Sequence, residues 1–297
     1  MIVGIPKGLL YYKYYPFFMT FFKELGLEVV ISPDTNKGIL DEGVKYCVDD
    51  ACLPLKIFHG HVAVLKDKCD IILIPRIMQV RNREYICPKF CGLPEMIQNS
   101  IPQMPRIIDK PIYAGTRKKL YSWAKDIGRL ITKDKSKIKR AFNFALIEQD
   151  KYKPGYNDNN QGLTVALVGH PYNIFDKYIN MNIVQKLNKL GVGVITEEFI
   201  EETLIDEEVK GLYKRPFWTF ARNSYGFAAN VYREKRVDGI IYISSFACGI
   251  DSVVIELIKE RIGNFPFMTL KIDEHTGEAG LDTRVEAFVD MLGRGVI

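Results

Sequence analysis

Short apolar runs alternate with amphipathic stretches along the N-terminal third of the chain. Ile2-Val3-Gly4-Ile5 and Leu27 to Ile31 have the pattern of strands, while Tyr11 to Leu25 and the stretch from Asn36 into Lys68 have that of helices. Ile71-Ile72-Leu73-Ile74 predicts a buried strand ended by Pro75, and Pro111-Ile112-Tyr113-Ala114-Gly115 a further one. The second half repeats the alternation: strand Leu163 to Gly169, helix Asp176 to Leu190, strand Val192 to Thr196, strand Gly239 to Ser244, helix Ser252 to Ile262, strand Pro266 to Ile272 and helix Asp282 to Leu292. Ile179, Ile183, Leu187 and Leu190 share one helical face, as do Val285, Phe288, Val289 and Leu292. Gly191 and Gly263 stand where helices stop. This grammar predicts an α/β protein with open parallel sheets of the Rossmann or flavodoxin kind.

Between the halves lies a Lys/Arg-rich helical pattern with Leu, Ile, Phe and Trp interleaved, followed by the polar run Tyr156 to Gly162. The expected organisation is an N-terminal α/β domain over 1–116, connecting basic helices and a linker over 117–161, and a C-terminal α/β domain over 162–297. The 297 residues, 47% of them hydrophobic, suffice for two cores without disulfides. A net charge of +5 from 41 basic and 36 acidic residues is too small and dispersed to argue for nucleic acid. The Met1-to-Lys7 segment has no h-region of a signal peptide and no run approaches a membrane span, so a cytoplasmic location is expected. In a reducing compartment the six cysteines are more naturally thiols or metal ligands than disulfides.

Open α/β sheets bind ligands beyond the carboxyl ends of their strands, and the residues there are chemically rich. His170-Pro171-Tyr172-Asn173 follows one predicted strand, Cys248-Gly249-Ile250-Asp251-Ser252 a second, and Asp273-Glu274-His275 a third. Cys248 stands where a helix begins, so free backbone N–H groups would favour its thiolate. Cys87 precedes Pro88, and Cys52 precedes Leu53-Pro54 with the proline suited to a first helical turn. Cys69 and Cys47 are expected to pack, and Cys91 lies one helical turn beyond Cys87. His59 and His61, two apart, lack the spacing of a helical zinc pair, whereas His170, His275 and Glu274 are candidate acid/base groups. No phosphate-binding G-x-x-x-x-G-K-[ST] loop, G-x-G-x-x-G or G-x-S-x-G motif is present.

Gly4-Ile5-Pro6-Lys7-Gly8-Leu9-Leu10-Tyr11-Tyr12, Ala51-Cys52-Leu53-Pro54-Leu55-Lys56, Tyr85-Ile86-Cys87-Pro88-Lys89-Phe90, Gly169-His170-Pro171-Tyr172-Asn173, Cys248-Gly249-Ile250-Asp251-Ser252 and Asp273 to Gly280 together resemble the acyl-CoA dehydratase activase-related family. That family is a relative of the 2-hydroxyacyl-CoA dehydratase and benzoyl-CoA reductase subunits. The resemblance implies a [4Fe-4S] cluster held in a cleft between α/β domains, with Cys52, Cys87 and Cys248 as ligands and Cys91 or an exogenous group in the fourth position. It further implies low-potential one-electron chemistry on a small molecule such as an acyl-CoA, with electrons from a separate ATP-dependent iron-sulfur activator. His170, His275 and Glu274 would serve catalysis, and Tyr172, Asn173, Asp251 and Ser252 would line the cofactor.

Two other readings stand beside that one. The chain could be a non-catalytic cluster carrier or scaffold that docks the activator through basic helices bearing Lys133, Lys135 and Lys137, alone or as an oligomer. Structural zinc on the same thiols is less attractive, because their spacing fits no compact zinc pattern.

Overall fold

A computed structural model describes residues 1–158 and 162–294; residues 159–161 of the expected linker lie outside the described residues. The chain divides into two compact units, one comprising Met1–Lys153 with Phe217–Thr219 and the other Pro154–Pro216 with Phe220–Ile297.

The first unit runs β1 (Ile2–Ile5), α1 (Tyr11–Glu24), β2 (Glu28–Ile31), α2 (Lys37–Tyr46), α3 (Leu53–Leu65), β3 (Ile71–Leu73), β4 (Ile77–Gln79), α4 (Leu93–Ser100), β5 (Arg106–Ile108), β6 (Ile112–Tyr113), α5 (Arg117–Ile131) and α6 (Lys135–Lys151). Its main sheet is parallel, in the order β2-β1-β3-β5. The apolar run at 111–115 forms only the two-residue β6, which pairs with β4 in a separate two-stranded sheet. The helical stretch expected from Asn36 into Lys68 is two helices. Asn36 caps the first by accepting from the Ile39 N–H at 3.2 Å, and the second begins at Cys52, with Pro54 in its first turn. The two helices cross at glycines: a Cβ on Gly60 would stand 1.8 Å from the Ile39 carbonyl oxygen, and one on Gly43 1.9 Å from that of Lys56. The turn between them carries Cys47 and Cys52.

The basic pair α5 and α6, expected as connectors, belongs to the first unit and packs on α1. The reason lies in the sequence of α1. Pro16 has no N–H, so the carbonyl of Tyr12 loses its helical partner, and the Tyr152 hydroxyl donates to it instead at 3.0 Å. Gln149 adds two bonds at the next rung: its amide NH₂ donates to the Lys13 carbonyl at 2.8 Å and its carbonyl accepts from the Phe17 N–H at 3.4 Å. Around this repair Phe17, Phe18 and Phe21 of α1 meet Trp123 of α5 at centroid distances of 6.2, 5.7 and 5.8 Å. Full burial of each such ring contributes about 1.5–3 kcal/mol.

The second unit runs β7 (Leu163–Gly169), α7 (Pro171–Phe175), α8 (Ile183–Lys189), β8 (Val192–Ile195), α9 (Glu202–Val209), α10 (Thr219–Arg233), β9 (Gly239–Ser245), α11 (Gly249–Ile262), β10 (Phe267–Ile272) and α12 (Glu278–Gly293). Its sheet is parallel in the order β10-β9-β7-β8, and β9 is buried along its whole length. The helix expected over 176–190 is confined to α8. The Asp176 carboxylate turns the chain by accepting from the N–H groups of Tyr178 and Ile179, and Met181 and Asn182 adopt left-handed conformations before α8 starts. The helices α9 and α10 carry no counterpart in the expected pattern, because α10 buries Arg222, which pairs with Asp206 of α9 at 2.8 Å, where the pattern calls for an apolar residue. Among the described residues no helix is long and apolar enough to cross a membrane.

Read from the first strand of each unit, both sheets have the same order, 2-1-3-4. The order reverses direction between β1 and β3 in the first unit and between β7 and β9 in the second. Such a switch point splays apart the loops that follow the two central strands and opens a crevice at their carboxyl ends.

Replacing Gln149 with Leu should remove its hydrogen bonds to the Lys13 carbonyl and the Phe17 N–H, at about 1–3 kcal/mol. Urea unfolding followed by circular dichroism should show a lower midpoint with an unchanged slope. An unshifted midpoint would mean that water repairs the α1 rung equally well.

Candidate metal centre at the strand ends

The crevice between β7 and β9 is built by close backbone approach. Gly169, the last residue of β7, has φ +151°, and a Cβ there would lie 2.4 Å from the Ile243 carbonyl oxygen of β9. His170 follows at once and caps α7, whose first residue is Pro171. After β9 the chain turns through Ala247 in a left-handed conformation, φ +62°, and Cys248 then caps α11. A non-glycine residue in that region costs about 1–2 kcal/mol, so the turn is held by its surroundings. Asp251 lies three residues into the helix, on the same face as Cys248.

These loops bring three groups together. His170 Nε2 lies 3.1 Å from Asp251 Oδ1 and 3.8 Å from Cys248 Sγ. One ligand atom from each of His170, Cys248 and Asp251 falls within 4.8 Å of the others. Tyr242 donates its hydroxyl to Asp251 Oδ1 at 2.8 Å. Tyr172 stacks on the imidazole at 5.1 Å with an interplanar angle of 15°, and Phe220 meets it edge-on. His170, Asp251 and Tyr242 are 4%, 1% and 0% exposed, so their charges have little access to water. Burial alone would push the imidazole pKa down, yet the Asp251 carboxylate, helped by Cys248, overrides it and raises it well above its ordinary value. Burial likewise opposes charge on Asp251, and the His170 contact reverses this, so the carboxyl pKa falls. Burial together with the neighbouring carboxylate drives the Tyr242 pKa well up.

The donor set is a thiol, an imidazole and a carboxylate, which suits Zn²⁺ or Fe²⁺. Ligand atoms about 2.0–2.3 Å from a tetrahedral ion stand about 3–4 Å apart, close to the separations around His170 Nε2. The other imidazole nitrogen, Nδ1, is buried with no hydrogen-bond partner among the described residues. On the side that Nε2 faces, Asp251 Oδ2 is likewise buried with no hydrogen-bond partner among the described residues.

Other residues singled out in the sequence fall into three groups. Asn173 is fully buried and structural: its Oδ1 accepts from Ser245 Oγ at 3.0 Å, and its Nδ2 lies 3.4 Å from the Ile243 carbonyl. The exposed Ser252 donates back to the carbonyl of Cys248 at 3.1 Å. His275 and Glu274 lie on the turn after β10, where Thr276 and the His275 N–H both donate to Asp273 Oδ1; the His275 side chain is 87% exposed and stands 3.9 Å from Glu274.

The remaining thiols lie in the first unit. Cys52 caps α3, and Cys87 caps a single 3₁₀ turn over Pro88–Phe90. Burial raises the pKa of Cys47 to about 11, with the Lys56 and Lys89 ammonium groups pulling it back and Cys52 adding to the rise. Arg76 steadies the segment beyond Cys87 by donating to the Cys91 carbonyl at 3.0 Å and to the Asp109 carbonyl at 3.1 Å. Cys69 packs as expected: its thiol points at the Leu65 carbonyl, 3.3 Å away, and a Cβ on Gly4 would meet its sulfur at 2.7 Å. His61 is held by Ser32 and Thr35 at 2.8 and 3.0 Å, and burial drives its pKa down to about 3. None of the six cysteines forms a disulfide among the described residues.

Sequence reasoning placed His170 and Cys248 at strand ends but missed the buried pair that Asp251 makes with His170, and missed Tyr242 altogether. An aspartate three residues after a cysteine at a helix start was the available signal. Tyr242 gave none, because within the apolar β9 it reads as core.

Fold and site together define a protein of parallel α/β units with a chemically loaded switch point. Residues 2–200 match the family model described as CoA enzyme activase uncharacterised domain (DUF2229), and residues 165–292 match that of 2-hydroxyglutaryl-CoA dehydratase, D-component. The chain belongs to the first of these families, and its C-terminal half carries the dehydratase-like relationship. No curated protein matches it. Among solved structures, a mutant Mn-bound periplasmic metal binding protein from Candidatus Liberibacter asiaticus aligns over 98% of this chain and 100% of its own, at 12% identity and a TM-score of 0.27. A likeness that slight carries no argument.

Replacing Gly169 with Ala should force β7 and β9 apart, because the Cβ has no room beside the Ile243 carbonyl and φ +151° is unsuited to alanine. The expected loss is about 2–4 kcal/mol of stability in urea unfolding. Wild-type stability in the variant would contradict the close-approach account.

Proposed function

We propose that the chain is an iron-sulfur protein of the dehydratase-like group, in which Cys52, Cys87 and Cys248 hold a [4Fe-4S] cluster. The observation that carries this reading is a shared placement: each of the three cysteines is an N-cap residue, and none makes a side-chain capping hydrogen bond. Cys52 and Cys248 open helices of 13 and 14 residues, whose dipoles favour negative charge at that end, while Cys87 stands at a single 3₁₀ turn too short to add a dipole. Thiolate ligation is the chemistry that such positions support. The family relationship supports the same reading from an independent direction.

When bound, a cluster with three protein thiolates supplies low-potential one-electron transfer and an iron open to a further ligand. The chain's own residues would do the rest. His170, fixed by Asp251 and Tyr242 and stacked on Tyr172, sits 3.8 Å from the Cys248 sulfur and supplies a positively charged donor beside it. The buried ring of Phe220 helps to exclude water there. His275 and Glu274 would meet a small-molecule substrate, such as an acyl-CoA, from the turn after β10. Electrons would come from an ATP-dependent activator, in keeping with the absence of a phosphate-binding loop of this chain's own.

A second reading is favoured by one specific observation, the convergence of His170, Cys248 and Asp251 within a single unit. A mononuclear Zn²⁺ or Fe²⁺ there would need neither Cys52 nor Cys87.

Anaerobic purification followed by iron and acid-labile sulfide analysis separates the two. The cluster reading expects about four irons and four sulfides per chain. Alanine at Cys52, Cys87 or Cys248 should each remove them, while His170→Gln should keep the sulfide. One metal per chain without sulfide, lost in His170→Gln and retained in Cys52→Ala, would establish the mononuclear centre instead.

A further inference from the structure

The modest net charge of the chain conceals how unevenly it is spread. Residues 117–151, which form α5 and α6, carry eleven Lys or Arg against four Asp or Glu, a net +7 within a chain of +5. Among the described residues only Lys151 of these eleven makes an ion pair, with Glu148 at 2.7 Å. Ten cations thus stand on two neighbouring helices without an ion-pair partner, the densest one-signed patch of the molecule.

The two helices lie antiparallel, side by side. Arg117 donates to Asn143 Oδ1 at 3.0 Å, the rings of Tyr121 and Phe142 meet at 5.0 Å, and a Cβ on Gly128 would stand 2.8 Å from the Ile138 side chain. Each helix buries one side, through Trp123 and Ile127 on α5 and through Ile138 and Phe142 on α6. The opposite sides carry stripes of identical spacing, i, i+4, i+7 and i+11. On α5 the stripe is Lys118, Ser122, Lys125 and Arg129; on α6 it is Arg140, Phe144, Ile147 and Lys151. All are exposed except the half-buried Lys125. Phe144 and Ile147 supply the second observation: each is 48% exposed, and both stand between cations on the outward side of α6.

We infer that the outer face of α5 and α6 docks on an anionic membrane surface, with its cations at the lipid phosphates and Phe144 and Ile147 seated beneath them. The composition of the patch selects this partner. Eight of the eleven cations are lysines, whereas protein–protein interfaces are enriched in arginine and depleted of lysine. An anionic headgroup layer takes point charges wherever they fall and admits apolar side chains at the acyl boundary. A nucleic-acid backbone would use the cations but give Ile147 nothing apolar to enter. Among the described residues no helix can cross a bilayer, so the attachment is peripheral and reversible. It is independent of what the thiols of the chain hold.

Flotation of the full chain, purified without oxygen, with vesicles of phosphatidylcholine containing about one-third phosphatidylglycerol tests it. Binding is expected at low salt, weakening as salt rises, and at least about tenfold weaker on phosphatidylcholine alone. Changing Lys118, Lys125 and Arg129 together to Gln should weaken it about a hundredfold, at about fivefold per cation. Phe144→Ser combined with Ile147→Ser should weaken it several-fold. Circular dichroism should be unchanged in both variants, since the substituted side chains lie outside the core. No flotation with the anionic vesicles, equal flotation without phosphatidylglycerol, or unchanged binding in the triple variant would each overturn the assignment. Tighter binding of an RNA duplex, lost in the same triple variant, would overturn it too and make the face a nucleic-acid platform.

Discussion

The parallel pairing of β7 with β9 is the constraint on which the meeting of His170, Cys248 and Asp251 depends. Gly169 is paired with Ile243, so the next residue on one strand and the turn after the other must share one edge of the sheet. Because β8 lies on the far side of β7, no crossover connection covers that edge. His170 and the start of α11 are left facing one another, and helix periodicity then adds Asp251 to Cys248. A residue that cannot sit at Gly169 would undo all of this at once, without touching a ligand atom.

The same economy operates in the first unit through different means. There the close crossing of α2 and α3 fixes the turn from Cys47 to Cys52, and the carbonyl contacts of Arg76 fix the turn beyond Cys87. Each cysteine assigned to the cluster stands just before a helix or 3₁₀ turn, whereas Cys69 follows one and directs its thiol at the Leu65 carbonyl. Burial does not separate them, since Cys52, Cys69, Cys87 and Cys248 are all half-buried.

Elements with a long, unbroken apolar period were legible in the sequence. β7, β9 and β10 and the helices α11 and α12 lie within a few residues of their expected bounds: β7 and β9 are continuous, largely apolar runs, and the helices bury residues at regular helical spacing. Three-residue strands such as β4 and β5 were not, because so short a run has no period to detect. The pair α9 and α10 escaped for a chemical reason: a buried Arg222 matched by Asp206 breaks the hydrophobic pattern while satisfying the fold. The packing of α6 on α1 was hidden in a similar way, since it rests on Gln149 and Tyr152 answering a proline more than a hundred residues earlier. At the site, strand-end placement identified His170 and Cys248 individually, but their meeting with Asp251 is a property of the sheet order, which the sequence pattern does not encode.

The central claim is that three helix-start thiolates hold a single iron-sulfur cluster. Mössbauer spectroscopy of the ⁵⁷Fe-loaded protein, prepared without oxygen, tests it most directly, because it reports the ligands and electronic coupling of every iron present. The account predicts the delocalised, low-isomer-shift signature of a [4Fe-4S] cluster, absent in the Cys52→Ala protein. A single high-spin ferrous doublet with mixed sulfur, nitrogen and oxygen ligation, unchanged by that substitution, would contradict it and move the centre onto His170, Cys248 and Asp251.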